Sequence, residues 1–452
     1  MQTNPPSVGK INRAILRLAL PAIFSNITVP LLGLSDTFIS GHLGAERYLA
    51  AIAAGTVLVN SLYWLFGFLR MGTTGLTAEA FGRNDLLLRR RVFTMSFLLA
   101  FSLGLFLMIL SVPLSRMLLW IMEPEPATAA LAGEYFRISI LAAPAFLATM
   151  TVTGWMIGSQ NTLYPMITAI TVNIINITLS MTFVFGMKLG FYGVALGTCI
   201  ANWSGLLIAL LLARHLAGAD QLWAPLKGLW KAMDMRRFFR VNSDLMLRSA
   251  CIMAVLFAMT TFAGRMGDSV LARNAVLMQF FMFFSYFMDG FAYAGEALCG
   301  RFAGAADPSG IYRTVKGLMI WAVIMTVVFT AIYFFFLTPV TALLTDEASV
   351  INGVSALKWV AVGIPVISAA AFIFDGVYIG MTATSRLLLA TLAAMILFFL
   401  TMLPYLLGRD LMILPDRLLW CAFLIFLLTR GVSLAILLPS TLRRIVSPAD
   451  HR

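Results

Sequence analysis

Stretches of about 20 apolar residues recur along this chain, and nothing constrains its fold more. A helix rises 1.5 Å per residue, so about 20 residues cross a hydrocarbon layer about 30 Å thick. Bounded by charge, Gly or Pro, the stretches fall at 15–41, 49–78, 92–112, 134–158, 164–186, 192–213, 244–263, 270–298, 317–338, 353–380, 386–407 and 417–438. They lack the ten-residue alternation of a membrane barrel. With 60% hydrophobic and 12% charged residues in 452, the chain stands far from soluble composition. The expected fold is an all-α polytopic membrane protein with twelve transmembrane helices. Lys10, Arg13 and Arg17 precede the first stretch, as in a signal peptide. That stretch is long, carries Asp36 and lacks a small-residue cleavage site, so it reads as a retained span.

The net charge of +12 first suggests nucleic acid. Its placement in short loops between apolar runs assigns it to topology instead, and no nucleic acid partner is expected. Twelve spans put both termini on one side. If that side is cytoplasmic, 20 basic residues lie inside against 9 outside, with Arg70, Arg248 and Arg430 in or at the edge of spans. The bias predicts a multi-pass bacterial inner-membrane protein, N-in and C-in. Cys199, Cys251, Cys299 and Cys421 are scattered, which gives neither a disulfide framework nor a metal site. His42, His215 and His451 form no cluster, and no Walker sequence is present. No catalytic residues, metal or cofactor are expected, and transport would draw on an ion gradient. A membrane-embedded transferase would need an acid or His cluster at one interface, and none is seen.

The long polar connector at 214–243 carries Trp223, Pro225, Trp230 and at least six basic residues, the pattern of a segment lying at the cytoplasmic interface. It divides the chain into a first lobe (1–213), a linker (214–243) and a second lobe (244–452), and the lobes repeat. Gly41-His-Leu-Gly44 recurs as Gly264-Arg-Met-Gly267, and Ala80-Phe-Gly82-Arg-Asn-Asp85 as Phe302-Ala-Gly304-Ala-Ala-Asp307. Gly154-Trp-Met-Ile-Gly158 recurs as Gly376-Val-Tyr-Ile-Gly380, and Pro144 as Pro365. Offsets of 221–223 residues throughout imply two pseudo-symmetric six-helix lobes running in the same sense, a transporter architecture.

A charge at mid-bilayer costs roughly 2.5–3.5 kcal/mol, so such residues need a partner, a wet cavity or a function. Asp36 follows Pro21 and Pro30 in the first span, and each proline removes a backbone donor. It reads either as a coupling acid or as a cap near the outer face. Asn173, Asn176 and Ser180 share one face of the fifth span, looking into a cavity or bonding to a neighbouring helix, and Asn202 of the sixth span joins them. In the second half Asp289, Glu296 and Asp375 lie in or near spans. Asp375 has Arg248 as a candidate partner, which would make a structural bridge. Arg70 needs a partner that the sequence does not name. Twenty-six Met and 35 Phe suit apolar, promiscuous ligands.

The run Leu18-Ala-Leu-Pro-Ala-Ile-Phe-Ser-Asn-Ile-Thr-Val-Pro-Leu-Leu-Gly-Leu-Ser-Asp-Thr-Phe-Ile-Ser-Gly41 resembles the multidrug and toxic compound extrusion (MATE) family. Phe68 to Gly82 and Tyr286 to Glu296 resemble its DNA-damage-inducible F branch. The resemblance covers the whole chain. It implies two six-helix lobes and cation-coupled antiport of small amphipathic, often cationic drugs. By position, Asp36 would be the first-lobe carboxylate that binds the coupling cation, with Pro21 at the bend of its helix. Asn176 matches the asparagine of the family pattern Asn-x-x-Leu-Asp, which here reads Asn176-Ile-Thr-Leu-Ser180. The second carboxylate is thus a serine. Asp375 resembles the tenth-helix aspartate of sodium-coupled members, but this chain offers Arg248 near its partner position. Both departures favour protons over sodium. A monomer exporting amphipathic or cationic compounds is the reading. A lipid or oligosaccharide-lipid flippase and a sodium-coupled antiporter are its alternatives. The major facilitator fold fits poorly, because Gly82-Arg-Asn-Asp85-Leu-Leu-Leu-Arg89 is a weak match to its 2–3 loop signature.

Overall fold

A computed structural model describes residues 8–42, 46–122, 125–218, 222–227, 229, 234–408 and 414–446. The side chains of Asp36 and Ser40, Gly44 of the first repeat motif, Trp230, Lys231 and His451 lie outside the described residues. Sixteen α-helices and no strand occur among them: α1 (Val8–Gly41), α2 (Glu46–Leu65), α3 (Phe68–Gly82), α4 (Leu86–Ile109), α5 (Ser111–Met122), α6 (Pro126–Ser139), α7 (Ala143–Gly158) and α8 (Leu163–Met181) come first. They are followed by α9 (Phe191–Ala217), α10 (Met235–Arg265), α11 (Asp268–Gly304), α12 (Pro308–Leu344), α13 (Ala348–Ala356), α14 (Lys358–Gly380), α15 (Thr384–Leu406) and α16 (Pro415–Val446).

Twelve segments are long and apolar enough to cross a bilayer, and they coincide with the twelve expected. Two are compound. The second span is α2 followed by α3, broken at Phe66-Gly67 where the N–H groups bond back only three residues. The fourth is α6 and α7 joined by a 3₁₀ turn at Ile140–Ala142, just ahead of Pro144. Proline lacks the donor that would continue an α-turn, and its ring displaces the preceding carbonyls. α8 ends in a π-helical turn at Thr182–Gly186. Large apolar side chains such as Phe24, Trp120, Phe335 and Ile436 stand exposed, as lipid contact requires.

The internal repeat extends to the backbone. Four short loops end a helix in the same way, with a non-glycine residue in the left-handed region: Asn84, Gln160, Ala306 and Thr382, at φ between 51° and 66°. Asn84 and Ala306 are 222 residues apart, and so are Gln160 and Thr382. In each loop the next N–H bonds to a carbonyl five residues back (Asp85 to Ala80, Asn161 to Met156, Asp307 to Phe302, Ala383 to Tyr378), closing a Schellman-type cap. Asp85 and Asp307 then cap the following helix by accepting from Leu88 and Gly310 N–H.

The repeated Gly-x-x-x-Gly pairs do the same structural task in both halves. A Cβ on Gly154 would lie 2.5 Å from the Arg70 carbonyl oxygen, and one on Gly158 would lie 2.6 Å from that of Thr74. On Gly376 and Gly380 it would lie 2.2 Å and 2.5 Å from the carbonyl oxygens of Ala292 and Glu296. Hydrogen-sized side chains let α7 cross α3, and α14 cross α11, backbone against backbone.

By internal contacts the chain forms two compact units, Phe24–Phe238, and Met1–Ile23 with Phe239–Arg452. The division passes through α1 two residues after Pro21, and through the first turn of α10. In the second of these units, the start of α1 packs on α11 and α12: Gly290 meets Ile23 and Ala19, and Gly317 meets Ile15 and Asn12. In the first, the described part of the connector lies on α4. Ala224 N–H donates to Thr94 Oγ1 at 2.9 Å, Leu222 and Leu229 are buried, and Trp223 sits edge-on to Phe93 and Phe97.

Candidate functional site

In the first half the polar face expected on α8 is directed at α9. Asn176 and Ser180, one turn apart, are buried, and Asn173 is half-buried. Asn176 Nδ2 donates to Thr198 Oγ1 at 3.1 Å, Thr198 Oγ1 donates to the Val194 carbonyl, and Asn202 Nδ2 donates to the Thr198 carbonyl at 2.8 Å. Ser180 Oγ lies where a Cβ on Gly197 would fall, 2.5 Å away. Asn173 Nδ2 reaches the Thr28 carbonyl of α1 at 3.4 Å. Four residues singled out from sequence therefore gather around the α8–α9 crossing, one of them touching α1. Thr198 joins them, a residue sequence reading had not picked. Asn176 Oδ1 and Ser180 Oγ are buried without a hydrogen-bond partner. An unpaired buried polar atom costs about 1–3 kcal/mol, which a water, a hydronium or a cation would relieve.

In the second half Arg248 of α10 does pair with Asp375 of α14, and Arg430 of α16 is a second partner. Both guanidiniums donate through an Nη to the same oxygen, Asp375 Oδ2. All three side chains are more than nine-tenths buried. Asp375 Oδ1 and both arginine Nε atoms have no hydrogen-bond partner. Asp289, half-buried on α11, lies close enough to attract Arg430 electrostatically. Arg430 also lies over the Phe426 ring, 5.3 Å from its centroid.

A third cluster had no counterpart in the sequence reading. Glu79, buried at the end of α3, accepts from Arg83 one turn on and from both Nη atoms of Arg237 in the first turn of α10. The Arg237 Nη1 contact is 3.1 Å. Among the described residues no group of His, Cys, Asp and Glu has the arrangement of a metal site.

The repeat shows how differently the halves are furnished. Residues 222 positions after Asn173, Asn176 and Ser180 are Met395, Phe398 and Met402 of α15. Phe398 and Met402 are as buried as Asn176 and Ser180, so the register matches while the chemistry is apolar. In the other direction, Thr153 stands where the second half has Asp375. One fold thus holds a neutral polar site in one half and a charged one in the other.

Twelve apolar spans, an internal repeat and polar groups buried within the spans define a repeat-built membrane transporter. The MatE family model matches residues 21–182 and 245–403, and the chain belongs to that family, whose members are transporters and not enzymes. The chain is 35% identical to the DNA damage-inducible protein F of Escherichia coli K12 over 94% of its own length and 91% of that protein's. It is 24% identical to the probable multidrug resistance protein NorM of Thermotoga maritima, over 76% of this chain and 75% of that one. Among solved structures, the Vibrio cholerae MATE transporter VcmN in the bent form matches with a TM-score of 0.84 at 16% identity, covering 97% and 98% of the two chains. A MOP superfamily transporter from Pyrococcus furiosus matches at 0.84 and 18%, covering 99% and 100%. At these identities the structures speak for the fold alone.

Proposed function

We propose that this protein is a proton-coupled antiporter that exports small amphipathic, often cationic compounds across the bacterial inner membrane. It works as a monomer with both termini in the cytoplasm. The lobes 1–213 and 244–452, joined by the linker 214–243, alternate in access. Asp36 loads and releases the proton, and Asn173, Asn176, Ser180 and Asn202 share in the coupling. Protonation from outside removes a charge, α1 bends at Pro21, and the compound leaves. One proton moving through about 100 mV supplies about 2.3 kcal/mol, enough for a gradient of roughly 50-fold.

The observation that carries the choice of proton over sodium is the state of the two acids the family would offer. Asp375 is already engaged by two guanidiniums, which repel a cation. On α8 the second carboxylate is Ser180. A single acid suits a proton, whereas sodium wants several oxygens with net negative charge. The test is ethidium efflux in inverted vesicles under an imposed pH gradient. Asp36→Asn is expected to reduce proton-driven efflux to the background of empty vesicles. Wild-type rates in that variant would overturn the proposal. Lipid movement without ethidium movement in reconstituted liposomes would point to a flippase instead.

A further inference from the structure

Two adjacent cations near the start of α4, Arg89 and Arg90, are left without a counter-charge. Both are half-buried, and among the described residues neither has an ion pair or a side-chain hydrogen bond. Three other half-buried arginines near span ends each have such a partner: Arg237 on Glu79, Arg313 on Asp307, and Arg386 on Ser440 and the Leu437 carbonyl. Arg89 lies over the rings of Trp155 and Phe81, 5.6 Å and 5.8 Å from their centroids. Such stacking occupies a face of the guanidinium and leaves its N–H edge free to donate.

The fold does not require the pair. α12 begins with the same aspartate cap as α4, yet 222 residues on from Arg89 and Arg90 it carries Ile311 and Tyr312. Charge that only sets topology has no need to leave water, and Arg443 and Arg444 at the end of α16 stay exposed. Arg89 and Arg90 are instead drawn against the protein, where Arg90 repels Arg89. Like charges held side by side away from water call for an anion. Their surroundings say which one. One turn along α4 the connector crosses, with Ala224 N–H on Thr94 and Trp223 against Phe97. From Trp223 an aromatic track runs along the span through Phe97 and Phe101 to Trp203, with successive centroids 5.0 Å, 5.9 Å and 6.4 Å apart. Both phenylalanines are half-buried and both tryptophans exposed, so the track faces lipid. At 1.5 Å per residue, Phe97 and Phe101 stand about 10 Å and about 16 Å along the helix from Arg90, the reach of an acyl chain.

We infer that Arg89 and Arg90 bind the phosphate of an anionic phospholipid in the leaflet on the connector's side, with an acyl chain along Phe97 and Phe101. Basic pockets at the ends of spans take such head groups, and a guanidinium donates two hydrogen bonds to one phosphate. A free anion gains nothing from the track, and a zwitterionic lipid brings an ammonium towards the arginines. The binding does not depend on the export reading. Only the naming of the leaflet as cytoplasmic rests on the orientation proposed above.

The experiment is native mass spectrometry of the purified full-length protein, delipidated in detergent and titrated with phosphatidylglycerol or with phosphatidylethanolamine of the same chains. Wild type is expected to bind one phosphatidylglycerol at least about tenfold more tightly than phosphatidylethanolamine, and excess inorganic phosphate is expected not to displace it. The double variant Arg89→Gln/Arg90→Gln is expected to bind phosphatidylglycerol at least about tenfold more weakly, as loss of two basic side chains at a membrane surface implies. Arg443→Gln/Arg444→Gln, which removes the same charge elsewhere, is expected to bind within about twofold of wild type. Equal affinity for the two lipids, undiminished binding in the Arg89/Arg90 variant, or an equal loss in the Arg443/Arg444 variant overturns the proposal. Displacement by inorganic phosphate also overturns it, in favour of a free-anion site. In case the Arg89/Arg90 variant folds poorly, the thermal unfolding of the wild type is followed with each lipid. Phosphatidylglycerol is expected to raise the melting temperature more than phosphatidylethanolamine, and equal shifts overturn the proposal. None of these readouts involves ethidium efflux, so failure here is distinct from failure of the export reading.

Discussion

At the scale of single residues, the sequence exposed what was expensive and hid what was paired at a distance. Asn176 and Ser180 stood out because polar groups seven residues or fewer apart on one face of an apolar run must be explained. Thr198 did not, because threonines in spans ordinarily satisfy themselves on the carbonyl one turn back, as Thr198 also does. Arg430 was visible as a charge in an apolar run, but its partner lies 55 residues away. Glu79 and Arg237 are separated by 158 residues, and no local pattern links them. The face on α8 yields a prediction. Ser180→Asp restores the Asn-x-x-Leu-Asp pattern beside Asn176, opposite Gly197. With a carboxylate added next to an unpaired amide oxygen, ethidium efflux is expected to respond to an inward sodium gradient at constant pH. The wild-type protein is expected not to respond. Identical sodium insensitivity in the variant would place the coupling site away from this face.

At the scale of elements, length and apolarity located all twelve spans, because a bilayer imposes both. The interruptions were harder to see. The break at Phe66-Gly67 and the 3₁₀ turn before Pro144 reflect how each helix bends to meet its neighbours, and only Pro144 announces itself in the sequence. The short helix α5 fills a stretch that hydropathy left as a loop. The glycine repeats were legible as a pattern, and their reason is the approach of two backbones. Gly376→Val therefore forces a side chain into the Ala292 carbonyl, and neither helix can yield without separating. The expected outcome is loss of the monodisperse peak in fluorescence-detected size-exclusion chromatography. Gly33→Ala, on an open face of α1 with nothing within 4 Å, is expected to elute as wild type. Equal behaviour of the two variants would mean that the α11–α14 crossing is not a fixed contact.

At the scale of the whole molecule, the repeat predicts two equivalent halves, but the compact units do not coincide with a cut through the linker. The start of α1 is packed in the unit that holds residues 239–452, where Ile11, Ile15, Leu18, Ala19, Ala22 and Ile23 are buried and Gly290 and Gly317 receive them. The first turn of α10 is held in the other unit by Arg237 on Glu79. A sequence repeat does not reveal such an exchange, since it equates first and seventh spans without saying which neighbours each end chooses. The consequence is that a chain cut in the connector gives two fragments that each lack a piece of their own packing. Residues 229–452 alone lack the α1 segment that covers Gly290 and Gly317, and apolar burial of the side chains on that segment amounts to several times about 1.5–3 kcal/mol in water, less where lipid takes their place. Expressed alone, this fragment is expected to be degraded to well under half of the level it reaches beside residues 1–228. Co-expression is expected to restore both fragments and ethidium efflux together. Appending residues 1–23 to the 229–452 fragment is expected to recover its accumulation but not efflux, which separates packing from transport. If the unaided fragment accumulates as well as the co-expressed one, the α1 segment is dispensable and the exchange carries no stability.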